Sequence, residues 1–141
     1  MVEEPVEKPA ARAVGRTAAK AAGRAAAAED AVPVLRVGQV LAALAWYARL
    51  GFLLSWEHRF GPGFPVFAEV ARGRLRLFLS EHEGDAPPGG LVFLRLADLD
   101  AVAEEFAVVP RDEPWGREVE LTDPDGNRLR ISDAAPASPE G

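Results

Sequence analysis

Cysteine is absent from this chain, histidine occurs only twice, and tyrosine occurs once. Each shortage removes a class of chemistry. Without cysteine there is no disulfide, no thiol nucleophile and no thiolate metal site. The two histidines, His58 and His82, are expected at the surface rather than as metal ligands. Long hydrophobic runs are missing too, and none approaches the ~20 residues that a membrane span requires. Residues 1–30 contain no Leu-rich or Val-rich stretch, which argues against a secretory signal and for a cytoplasmic protein. The glycines form no phosphate-cradling spacing. Ser80 lies in no G-x-S-x-G elbow and has no evident histidine partner.

What is present describes one domain. The chain has 141 residues, of which 48% are hydrophobic, enough for a core of its own. Its net charge of −6 argues against nucleic acid as a partner and fits a neutral or cationic one. Residues 1–30 stand apart from the rest. They are rich in alanine, and Arg12, Arg16, Lys20 and Arg24 recur every four residues. On a helix these would form one cationic stripe. Gly15 and Gly23 interrupt that pattern and no large apolar face exists to dock it, so a disordered tail is expected, with contact to an anionic surface as the other reading. A Pro/Ala/Ser tail is expected over 134–141.

Residues 114–131 organise the part between. Trp115 sits at a corner between Pro114 and Gly116, and Val119 and Leu121 alternate with Glu118 and Glu120. Asp123, Pro124, Asp125, Gly126 and Asn127 are dense in turn formers. Arg128 to Ile131 alternates again, so the unit predicts a hairpin with an aromatic side chain at its mouth. Before it, 31–37 reads as an edge strand containing Pro33, which cannot donate to a ladder. The spacing over 39–50 predicts a helix ending at Gly51. Strands are expected over 52–57, 66–71 and 75–80, then 91–96, followed by a helix that Asp98 caps and that runs to about Phe106. Glu104 and Glu105 fall on the wet face of that helix. The pattern is βαβββ written twice, an α+β architecture over residues 31–133.

Three stretches carry a resemblance. A-L-A-W-Y-A-R-L-G-F (43–52), D-L-D (98–100) and D-P-D-G-N (123–127) resemble the vicinal oxygen chelate superfamily of glyoxalases, dioxygenases and antibiotic-resistance proteins. A-V-P-V-L (31–35), L-F-L-S (77–80) and P-W-G-R-E (114–118) look most like its bleomycin-binding resistance members. The resemblance implies two βαβββ modules curving into a mixed-sheet cleft, and a homodimer whose arms, carrying Pro33, are exchanged. It places the superfamily's metal ligands at Val32, Leu91 and Arg130. Two of these side chains lack donor atoms and the third is a permanent cation, so neither a metal cofactor nor metal-dependent catalysis is expected.

The resemblance then implies a binding site. Phe67 and Trp115 match the aromatic pair that clamps a flat bithiazole ring, an arrangement worth ~0.5–1.5 kcal/mol per pair beyond area burial. Ser80 matches a serine of the cleft floor. Arg76, Phe78, Phe93, Gly116 and Glu120 complete the expected lining. Strand parity adds a complication, because Arg36, Arg95 and Arg128 should share the faces of Val32, Leu91 and Arg130. So many guanidiniums would repel a cationic glycopeptide unless Glu69, Glu118 and Glu120 neutralise them. The expected function is metal-free sequestration of a bleomycin-type antibiotic. A glyoxalase-like or dioxygenase-like enzyme and a binder of a smaller anionic ligand stand as alternatives.

Overall fold

The structure, a computed structural model, describes residues 29–133; the expectations for residues 1–28 and 134–141 lie outside the described residues. The first module comprises β1 (Val34–Arg36), α1 (Val40–Ala48), β2 (Leu53–Arg59), β3 (Val66–Arg72) and β4 (Leu75–Ser80). The second comprises β5 (Leu91–Leu96), α2 (Leu99–Phe106), β6 (Arg111–Glu113), β7 (Gly116–Thr122) and β8 (Arg128–Asp133). Each module forms a four-stranded mixed sheet, in the orders β1-β4-β3-β2 and β5-β8-β7-β6. The first strand of each module pairs parallel with the last, and the remaining pairs are antiparallel.

Alternation along the strands gives each sheet two unlike faces. Val66, Ala68, Val70, Leu77 and Leu79 are buried on the side that α1 covers, and Val119, Leu121, Leu129 and Ile131 on the side that α2 covers. The helices also meet each other: the Trp46 and Phe106 rings lie 5.4 Å apart and the Arg49 guanidinium lies over Phe106. The opposite faces of both sheets have no layer over them among the described residues.

Four local expectations are corrected. The strand expected over 31–37 is only Val34–Arg36, and Pro33 precedes it. Having no N–H, Pro33 joins the ladder only through its carbonyl, which accepts from Phe78 N at 2.9 Å. β1 does lie at a sheet edge, as a proline-led strand must. The helix begins at Val40, and its first N–H is satisfied by Glu81 Oε2 at 2.7 Å rather than by Gln39. That carboxylate also accepts from Val66 N at 2.9 Å. At the other end, Gly51 N and Phe52 N donate back to Ala48 and Tyr47 with Gly51 at φ 84°, the glycine closure read from sequence. The second strand runs Leu53–Arg59, two residues beyond its expected end. Asp98 precedes α2 but makes no capping bond; its carboxylate takes Arg72 at 2.7 Å.

The turn at 123–127 does more than reverse the chain. Asp123 Oδ1 accepts from Asp125 N and Asn127 N, while Oδ2 accepts from Tyr47 Oη at 2.7 Å and Asn127 Nδ2 at 2.9 Å. Asn127 Nδ2 also donates to Arg36 O, and its Oδ1 accepts from Gly90 N at 2.8 Å. Asp125 Oδ1 accepts from Gly38 N. Through its buried Asp123 and Asn127 this turn ties the first module's β1 and α1 to the second module's hairpin and to the linker between them.

Candidate functional site

The uncovered face of the first sheet is aromatic. Register puts Trp56 opposite Glu69, His58 opposite Phe67, Phe67 opposite Ser80 and Glu69 opposite Phe78, so these side chains share one face. Phe67 and Phe78 have ring centroids 4.9 Å apart, and Trp56 stacks on Phe67 at 6.0 Å with planes inclined by 30°. Trp56 joins this aromatic face, a placement that the sequence reading missed. A bulge between Leu54 and Trp56 shifts the parity of β2, so alternation counted from the start of the strand misassigns its face. The signal was the Trp56/His58 alternation at its far end.

The uncovered face of the second sheet is ionic and aromatic together. Glu118, although buried, accepts from Arg130 Nε at 2.6 Å, from Arg130 Nη2 at 3.1 Å and from Trp115 Nε1 at 2.8 Å. Those bonds, the one from Arg130 foremost, hold its carboxyl below the ordinary value against the opposing effect of burial. Glu120 is lowered likewise by Arg128, which it accepts at 2.7 Å. Arg76 meets Glu69 at 3.3 Å. The three glutamates read as potential neutralisers therefore each take one arginine, and the parity assigned to Arg76, Arg95, Arg128 and Arg130 agrees with the register.

The expected site residues divide into groups. Phe67 and Phe78 lie together on the first sheet. Phe93, Trp115, Gly116 and Glu120 lie on the second, where Arg130 sits 5.4 Å from the Phe93 ring and 5.7 Å from that of Trp115. Within one chain Phe67 and Trp115 are not brought into ring contact: Phe67 touches Trp56 and Phe78, whereas Trp115 touches Glu118 and Arg130. Pro33, Arg76 and Phe93 do meet, around a cavity of about 210 Å³. It lies where short β1 leaves 75–77 of β4 paired on the β3 side alone.

Ser80 keeps the expected face, opposite Phe67, but its free-hydroxyl role is corrected. It is 0% exposed, donates to Asp85 Oδ2 at 2.6 Å and accepts from His82 N at 3.0 Å, so its only donor is spent on the turn after β4. β4 ends at Ser80, so the residues after it lie beyond the strand. Glu81 is consumed by its two backbone donors. His58 keeps its Nε2 buried without a hydrogen-bond partner, and its ring meets Phe60 edge-on at 4.6 Å.

A metal does not fit the superfamily's ligand positions in this chain. Val32 and Leu91 offer no donor atom, and Arg130 holds a permanent positive charge there, fixed by Glu118. A divalent ion would meet repulsion instead of coordination. Among the described residues no three acidic or histidine side chains converge elsewhere.

Two mixed βαβββ sheets, each with an open face, define a class, and comparison with known proteins gives the same one. Residues 17–137 match a family described as glyoxalase superfamily protein. The chain belongs to the glyoxalase superfamily. Among solved structures it is similar to a bleomycin-binding protein complexed with bleomycin, at 26% identity and a TM-score of 0.61, over 76% of this chain and 99% of that one. It is similar to the bleomycin-binding protein of the bleomycin producer Streptomyces verticillus, complexed with copper(II)-bleomycin: 30% identity, TM-score 0.57, 76% and 97% covered. An antibiotic binding protein from Streptomyces sp. CB03234 shares 26% identity with a TM-score of 0.61, over 77% and 98%. Among curated protein sequences none matches.

Proposed function

We propose that this chain is a metal-free, non-catalytic binding protein that sequesters a flat-ring antibiotic of the bleomycin type and so confers resistance. The observation that carries the reading is the pair of open sheet faces, one bearing Trp56, Phe67 and Phe78, the other Phe93 and Trp115, with no donor set at the superfamily's metal positions. Conjugated rings stack on such faces, and among the described residues no set of metal donors stands beside them. The ligand is held and left unchanged.

Each face alone is half a cleft. The active unit is a homodimer in which the first sheet of one chain faces the second sheet of its partner, so that Phe67 and Trp115 grip one ring from two sides. The exchanged arm runs through Pro33, beside the part of β4 that β1 does not reach. Titration of the full chain with bleomycin tests this reading, and no binding at micromolar concentration would overturn it for that antibiotic.

A second reading has its own support. Among the described residues Arg36 and Arg95 face no carboxylate, and a smaller anionic ligand would use them. Both readings share the cleft and differ in the charge of its occupant.

A further inference from the structure

Guanidiniums and rings alternate in one row across the second sheet's open face. Arg95 lies 5.4 Å from the Phe93 ring, Arg130 lies 5.4 Å from the same ring, and Trp115 follows at 5.7 Å from Arg130. The charges of the row are not equivalent. Arg130 is neutralised by Glu118, as Arg128 is by Glu120 and, at 3.4 Å, Arg111 by Glu113. Four arginines face three glutamates here, and the positive charge left over resides on Arg95, which is exposed and has no carboxylate partner among the described residues. The chain as a whole carries −6, so this spot runs against the general field.

A guanidinium within cation–π reach of a ring, with no carboxylate partner, keeps its N–H donors for a planar oxyanion. Beside it, Phe93 and Trp115 are 38% and 46% exposed, open enough to receive a second ring. We propose that the ligand of this face is a flat conjugated ring bearing a negatively charged oxygen group (a carboxylate, sulfonate or phenolate), with the ring laid along Phe93 and Trp115 and the oxyanion taken by Arg95. The proposal rests on the second reading above, in which the cleft's occupant is anionic, and it names the feature by which that cleft sorts flat ligands. Arg130 cannot do the sorting, because its fork is already closed on Glu118. A cationic substituent at the same place would meet Arg95 head-on.

Two flat dyes of opposite charge test it on the full chain at low salt: anionic 1-anilinonaphthalene-8-sulfonate and cationic proflavine, each followed by fluorescence titration. The anionic dye is expected to bind at least about tenfold tighter. Arg95→Gln should abolish that preference and Arg95→Lys should keep most of it, while Arg59→Gln, an exposed charge on the other side of the first sheet, should leave it unchanged. Equal affinity for the two dyes, or a preference that survives Arg95→Gln, overturns the inference and leaves the flat-ring cleft standing. Binding of neither dye overturns both.

Discussion

Trp115 donates its indole N–H to Glu118 at 2.8 Å, and that bond fixes what the residue can do. The ring is pinned at the β6–β7 turn and is 46% exposed, so it offers a rigid surface whose side-chain entropy is already spent. Trp115→Ala should weaken antibiotic binding by ~2 kcal/mol or more and leave the fold intact, with a lower melting temperature because the buried Glu118 loses one donor. Calorimetry beside a thermal melt checks both, and unchanged affinity would remove Trp115 from the site. The P-W-G corner made this side chain legible in the sequence. Trp56 was hidden, because the bulge beside it breaks the alternation from which a face is read. Ser80 misled for the opposite reason: its strand parity was right, but the partners that bury its hydroxyl lie in a turn with no periodicity. Tyr47 gives a second test at this scale. Burial first, then its bond to Asp123, pushes its phenol far above the ordinary 10.0. The unfolded chain loses that proton near pH 10 while the folded chain keeps it, so stability is full below pH 10 and declines as the pH rises beyond it. Tyr47 is the only tyrosine; its phenolate absorbance should appear in one step with unfolding. A gradual titration near pH 10 with the fold intact would contradict this.

At the scale of elements, the 123–127 turn joins the two modules. Its sequence announces a tight turn, and the turn is there. Its second role was not legible, since Asn127 reaches Arg36 O across 91 positions and Tyr47 reaches Asp123 across 76, separations that no local pattern encodes. Asn127→Ala removes the bonds to Gly90, Arg36 and Asp123 from a buried site, and should cost ~2–4 kcal/mol in chemical denaturation. A loss below 1 kcal/mol would show that water or backbone adjustment replaces them. The β7–β8 hairpin makes a pH-dependent contribution as well. Arg130 holds the Glu118 carboxyl below its ordinary 4.5, so the pair's stabilisation is full above that pH and is lost as pH falls through the lower folded value. Glu118→Gln should therefore be less stable than the parent chain at neutral pH, with the gap narrowing in acid. A gap that stays constant from neutral pH to well below 4.5 would contradict that role for the pair.

For the whole molecule, the twice-written βαβββ order was legible because strand and helix periods differ and the Pro-Pro-Gly-Gly linker at 87–90 divides them. Any pairing of the two open faces between chains was not, because such pairing leaves no period in a sequence. The dimer reading predicts that sedimentation of the full chain gives twice the monomer mass of 15.1 kDa. A monomer that still binds ligand would show that one face suffices.

In the proposed function this chain grips a flat antibiotic without a metal and without altering it. Calorimetric titration of the chelator-treated full chain with bleomycin tests it most directly. Saturable binding at micromolar concentration or tighter, with the drug recovered intact, is the predicted result. No heat, or heat that appears only after a divalent metal is added back, would contradict it.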